Sequence, residues 1–123
     1  MDKDIELYEN REANRLAALL SEELKNSKEY RYYQDCLQEL KKDQMLYQAV
    51  CDLRRENFQL QNTEGNCINY EQYAMMSAKN TNLRKNPVVS RFLNAEIGMG
   101  RLITDIYRQI VGGIEMDIDF LED

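Results

Sequence analysis

From Val88 to Ile114, apolar side chains recur at steps of three and four: Val88, Phe92, Ala95, Met99, Ile103, Ile106, Ile110 and Ile114. That spacing follows the 3.6-residue turn of an α-helix and not the two-residue alternation of a strand. Val89, Leu93, Leu102 and Val111 widen the stripe. The rest of the chain must cover this stripe or leave part of it for another molecule. Gly98 and Gly100 fall inside it. Each costs about 1 kcal/mol relative to alanine in a helix interior. They mark a bend, the close approach of another backbone, or tolerated surface positions.

The start of this helix is legible. Asn86 is a good N-cap, and Pro87 at the first helical position loses no bond because that N–H is unpaired anyway. A similar joint lies upstream, where Leu40, Lys41 and Lys42 precede Asp43. Positive charge suits the exposed carbonyls of one helix end, and the Asp43 carboxylate suits the free N–H groups of the next. Between and before these joints the same periodicity recurs. Leu16, Leu19, Leu20 and Leu24 share one side of a helix expected over residues 3–26. Ser27 either caps a new helix or marks a bend. Tyr30, Tyr33, Cys36, Leu37 and Leu40 form the stripe of a second helix over residues 28–42. Leu46, Val50, Leu53 and Leu60, with Phe58 beside them, mark a third that runs to about Gln61. NTEGNCIN, residues 62–69, reads as a loop. Asn69 and Gln72 resemble a capping box opening a fourth helix, which carries Tyr73, Met76 and Leu83 and ends at Arg84-Lys85. Superposing the joints sets Tyr30 over Tyr73 and Leu40 over Leu83, two similar hairpins.

Only 1 proline and 5 glycines punctuate the 123 residues. An all-β domain needs a turn signal every ~8–12 residues. The expected fold is therefore all-α, an antiparallel bundle of four to five helices with a long C-terminal helix. Length argues for one domain, over residues 1–113. After Gly112-Gly113 the rhythm changes to the alternation IEMDIDF, so residues 114–123 are expected to form an extended acidic–apolar tail. It lies against the bundle as a strap or serves as a docking segment for a partner.

Composition removes most chemistries. There is no histidine, which excludes Ser-His-Asp and Cys-His arrangements and the Glu-x-x-His ligands of di-iron bundles. No glycine-rich phosphate loop is present. The remaining enzyme reading is an all-helical, Mg-dependent nucleotide hydrolase, for which Glu6, Glu9 and Glu12 offer one carboxylate row. No matching row follows on a later helix. Five acids and no base fall in residues 115–123, so residues 1–114 are near balance, with 16 positive and 17 negative charges. No basic field for a nucleic-acid backbone results, and Lys41-Lys42, Arg54-Arg55 and Arg84-Lys85 read as solvated faces. Cys36, Cys51 and Cys67 are 15 and 16 residues apart, which fits reduced cytoplasmic thiols better than a disulfide scaffold or a zinc site. No run approaches the ~18 apolar residues of a membrane span, and the acidic start is no signal peptide. Tyr30 and Tyr33 sit on an apolar stripe and read as packing residues, not a stacking platform. The expectation is no enzyme, no catalytic residue, no metal, no cofactor and no small-molecule substrate. Phe92, Met99, Ile103, Ile106, Ile110 and Ile114 are expected in a homo-oligomer interface, a dimer first.

Two segments carry a family resemblance. NPVVSRFLNAE, residues 86–96, resembles the Asn-Pro-x-Ile/Val-x-x-Tyr/Phe-Leu-x-Ala-Glu segment of the YlbF/YmcA family of small helical bacterial regulators. SKEYRYY, residues 27–33, is similar to that family's Ser-x-Glu-Tyr-x-x-Tyr segment. The similarity spans roughly residues 5–112. It implies an all-helical, self-associating cytoplasmic protein that acts as an accessory factor. Its implied partners are itself, paralogous helical regulators and an RNase Y-type machinery of messenger maturation that bears on competence, sporulation and biofilm formation. The matched positions Ser27, Glu29, Tyr30, Tyr33, Asn86, Pro87, Phe92, Leu93, Ala95 and Glu96, with Asp43 at the first joint, are implied to determine the fold. Some members bind an iron–sulfur cluster through cysteines near the C-terminus, whereas the last cysteine here is Cys67. Gln44 stands where relatives often have proline. Alternatives of another class are the nucleotide hydrolase and a self-assembling structural protein.

Overall fold

A computed structural model describes residues 10–62 and 70–114. Among them are five helices and no strand: α1 (Arg11–Lys25), α2 (Lys28–Lys41), α3 (Gln44–Gln61), α4 (Tyr70–Arg84) and α5 (Pro87–Gly112). The all-α reading holds, with the long C-terminal helix where the stripe places it. The tail from Glu115 and the proposed cap Asn69 lie outside the described residues.

Three short joints set the chain path, and they share one geometry. The Ser27 hydroxyl accepts a hydrogen bond from the Tyr30 N–H at 3.1 Å and donates one to the Leu24 carbonyl at 2.6 Å. It therefore caps α2 and closes the last turn of α1, so the cap reading of Ser27 is the one realised. The Asp43 carboxylate accepts from the Leu46 N–H at 3.0 Å. Asn86 Oδ1 accepts from the Val88 N–H at 2.9 Å, with Pro87 opening α5. In each joint the capping residue's own N–H returns to a leucine carbonyl three residues back: Ser27 to Leu24, Asp43 to Leu40, Asn86 to Leu83, all within 3.1–3.2 Å. LKNS, LKKD and LRKN are thus one device used three times, where the sequence pattern had paired only the last two. Each cap is worth about 1 kcal/mol.

The core gathers at one end. Its buried residues are Cys36 and Leu40 from α2, Val50 and Leu53 from α3, and Val89, Phe92, Leu93 and Ala95 from α5. Leu46, Leu83 and Val88 pack on it, which brings the Asp43 and Asn86 joints to the same cluster. The main seam runs between α2 and the first turns of α5. Phe92 is its centre and is wholly buried. The Tyr33 ring lies 5.6 Å from Phe92 and 6.4 Å from Tyr30. On the other side the Arg54 guanidinium sits 5.5 Å above the Phe92 ring and pairs with Glu96 at 2.6 Å. The matched motif residues are thus caps (Ser27, Asn86, Pro87), core (Phe92, Leu93, Ala95), ring neighbours (Tyr30, Tyr33) and an ion-pair acceptor (Glu96).

Two elements depart from expectation. Neither α1 nor α4 contributes a buried residue. The hairpins therefore match at their joints but not along their length: Tyr30 is half-buried, whereas its counterpart Tyr73 is 59% exposed. The glycine pair ends α5 without a left-handed turn, since Gly113 has φ −83° and its N–H bonds the Gln109 carbonyl at 3.2 Å.

Candidate interaction surfaces

The described residues assemble no catalytic constellation. Glu12 is held by Arg15 at 2.9 Å, while Glu6 and Glu9 lie outside the described residues. Among the described residues no group of three or more Cys, Asp or Glu could hold a metal ion. Cys36 is buried and Cys51 half-buried, both as free thiols, and Cys67 lies outside the described residues. Each described cysteine has a tyrosine one turn before it. Tyr32 has its pKa raised mainly by a hydrogen bond with Cys36, and Tyr47 likewise by one with Cys51. Arg91 and Arg54 respectively oppose these shifts.

The basic pairs are more committed than their spacing implied. Lys41 lies 5.5 Å from the Tyr47 ring centre, Lys42 pairs with Glu39, and Arg55 pairs with Asp52. Arg84 donates to Asn94 Oδ1 at 3.2 Å. Arg54 is a packing residue of the Phe92 environment rather than part of a solvated face. An arginine's flat guanidinium can cover an aromatic face while its edge binds a carboxylate. No spacing rule pairs Arg54 with Glu96 across the chain, so sequence reasoning missed the contact.

What the chain presents is apolar surface, in two places. The first is spread over two separate segments, α1 and residues 103–114 at the end of α5 and just past it. Leu16 and Leu19 are 56% and 50% exposed, and Ile103, Tyr107, Ile110 and Ile114 lie between 49% and 52%. Met99 and Ile106 are half-buried. Phe92 does not belong to this surface and is a correction to the expected interface: α2 and Arg54 enclose it within its own chain. Among the described residues nothing lies within 4 Å of where a Cβ would sit on Gly98 or Gly100, so no described segment closely approaches them.

The second place is the α3–α4 hairpin. The Lys79–Glu56 pair at 3.1 Å ties its helices together. Phe58, Tyr70, Tyr73 and Met75 are all at least 59% exposed. A shallow groove of about 200 Å³ lies between the helices, lined by residues that include Leu60, Tyr73, Met76 and Asn80. Small-molecule pockets run to ~300–1,000 Å³ and enclose most of the ligand. This groove fits a side chain of another protein better. Flexible methionines beside aromatics suit such adaptable contacts.

No helix among the described residues is long and apolar enough to cross a membrane. No solved structure matches the chain. The chain is 27% identical over 105 residues to a UPF0342 protein of Halothermothrix orenii, covering 84% of this chain and 89% of that one. It is 24% identical over 102 residues to a UPF0342 protein of Caldicellulosiruptor bescii, covering 81% and 86%. A family model described as control of competence regulator ComK, YlbF/YmcA, matches residues 13–115. With the joints and the Phe92 environment built from the motif residues, the chain belongs to the YlbF/YmcA family.

Proposed function

We propose that this protein is a non-enzymatic regulatory adaptor of the cytoplasm that works through protein–protein contacts. The observation that carries the reading is the disproportion between its surfaces and its core. Among the described residues eight apolar side chains are buried, while thirteen large apolar side chains are exposed. Scattered surface apolar residues are ordinary, but contiguous patches of this extent mark interaction sites. The family's description as a control of competence regulator supports a regulatory role. The exposed apolar side chains of α1 and of distal α5 serve self-association. The α3–α4 hairpin engages other proteins, with paralogous helical regulators and an RNase Y-type endoribonuclease machinery as the first candidates.

The test is affinity purification from the native host with the wild-type chain and with Phe58→Glu and Met75→Glu. The expected result is recovery of paralogues and endoribonuclease with the wild type and their loss with the variants. Equal recovery with the variants would remove the hairpin from the proposal. Mg²⁺-dependent turnover of nucleoside triphosphates that is abolished by Glu12→Gln would replace the adaptor reading with the hydrolase.

A further inference from the structure

We infer that the acidic–apolar tail, residues 115–123, seats its apolar side in the groove between α3 and α4 of its own chain. The tail lies outside the described residues. Its sequence, its reach and the chemistry of the groove point to this seat.

The groove is neutral. Leu60, Tyr73 and Met76 supply its apolar lining, and Asn57, Gln61 and Asn80 most of its polar lining. None of its lining residues is charged, in a chain of which 31% of residues are charged. The lining on the opposite side of the same seam includes Glu56 and Lys79. At Tyr73 and Ser77 the neutral groove runs into a wider depression of about 530 Å³ along α4, whose one charged lining residue is Lys85. A segment that carries carboxylates therefore meets no lining carboxylate in either depression, where like charges would repel it.

The tail matches this lining in pattern. Met116, Ile118 and Phe120 alternate with Glu115, Asp117 and Asp119. Successive side chains of an extended segment point to opposite sides. The apolar three then face Leu60, Tyr73 and Met76 while the acids face water. An extended segment cannot complete its backbone hydrogen bonds on helices whose own groups are already paired. Side-chain amides can serve it, since each offers both a donor and an acceptor. Asn57, Gln61 and Asn80 place three of them around the apolar lining. A docked helix satisfies its backbone internally and has less use for them.

The reach is sufficient. α3 and α5 both start from the core cluster and are level where Arg54 pairs with Glu96. α3 continues from Arg54 to Gln61, about 10 Å, and α5 from Glu96 to Gly112, about 24 Å, at ~1.5 Å per residue. α5 thus outruns the hairpin by about 14 Å. With packed helix axes ~10 Å apart, roughly 17 Å of chain returns the tail to the open end of the groove. Residues 115–123 span about 30 Å when extended. The remaining ~13 Å exceeds the ~10 Å of α4 from Tyr73 to Asn80. Seated there, the tail closes this part of the hairpin to other proteins, which must displace it. That consequence rests on the adaptor reading, whereas the seat itself does not.

The chain has no tryptophan, so Phe120→Trp in the full-length protein gives a single reporter. Its emission is expected to be blue-shifted from that of free tryptophan and shielded from acrylamide. Adding Tyr73→Glu, at a position 59% exposed, should return emission and quenching to the free values. Adding Phe58→Glu, on an exposed residue outside the groove lining, should change neither. Mixing Phe120→Trp with an excess of chain that carries Tyr73→Glu alone should also change neither, because each reporter keeps its own groove. A free-tryptophan spectrum in the first protein would overturn the inference and leave the groove to a partner protein. A blue shift that survives Tyr73→Glu, or that is lost with Phe58→Glu, would place the tail elsewhere and overturn it. Loss of the blue shift on mixing would assign the groove to the tail of a second copy and overturn it too. Should Tyr73→Glu lower the helical circular dichroism, Asn80→Asp takes its place, with the same loss expected from the added carboxylate and an unchanged spectrum overturning the seat. No partner protein enters these measurements, so their failure and that of the affinity purification are separate.

Discussion

Replacing Phe92 with alanine tests whether the fold has one centre. The side chain is wholly buried. Phenylalanine buries roughly 150–250 Å², and at about 25 cal/mol per Å² the part lost on truncation is worth about 3 kcal/mol. Two specific contacts vanish with it. The Tyr33 ring at 5.6 Å contributes about 1 kcal/mol. The partly exposed Arg54 above the ring contributes about 0.5–1 kcal/mol. The sum, about 4–5 kcal/mol, lies at the upper end of the measured range for Phe→Ala. For a chain of this length 1 kcal/mol moves the melting temperature by about 3–5 °C, so the variant should melt about 12–25 °C lower. The assay is thermal unfolding by circular dichroism at a protein concentration held fixed, because association also raises the midpoint. A drop below about 3 °C, the equivalent of 1 kcal/mol, would refute the placement of the core around the α2–α5 seam. It would return Phe92 to the surface stripe.

Asn86→Ala should cost about 1 kcal/mol by removing the bond to the Val88 N–H, while Asn86→Asp should be near neutral; urea unfolding of the pair reads the difference. Arg54→Ala should lower stability by about 1 kcal/mol, combining a half-exposed ion pair with the lost cover of Phe92; the ion-pair part should shrink in high salt. Gly98→Ala tests the open space beside that residue. In a monomeric variant it should raise the melting temperature, since alanine favours helix by about 1 kcal/mol, and in the dimer a closely seated neighbour would reverse the sign. Above pH 10 the hydrogen bonds to Cys36 and Cys51 keep Tyr32 and Tyr47 neutral longer in the folded chain than in the unfolded one. The unfolded state then releases its protons first, so stability should fall as pH rises past the ordinary tyrosine value.

Local signals carried over well and long-range ones did not. Asp43 and Asn86 cap helices because a short polar side chain before an apolar run has one favourable use, and that use is decided within three residues. The stripe of α5 was equally visible, but periodicity says only which side of a helix is apolar, not what covers it. Phe92 and Ile110 occupy equivalent positions in that pattern, yet α2 buries the first and leaves the second half exposed. Chain length between joints decides this. α2 is 14 residues long and α5 is 26, so the seam runs out before α5 does. Arg54 illustrates the other gap, since its neighbour Arg55 looks identical in sequence and pairs with Asp52 on its own helix.

The burial of Cys36 gives the fold a clock. The residue is 7% exposed, packed in the cluster that holds Leu40, Val89 and Phe92, whereas Cys51 is half-buried on α3. A thiol reagent therefore meets the two at different rates. Cys51 reacts on the timescale of the reagent's own chemistry. Cys36 waits for α2 to part from α5, an opening whose frequency is set by the free energy of the seam. As reagent concentration rises, Cys36 labelling should pass from a rate set by how much of the chain is open to one set by how often it opens. The same molecule would then report both the depth and the height of the well that holds its helices together.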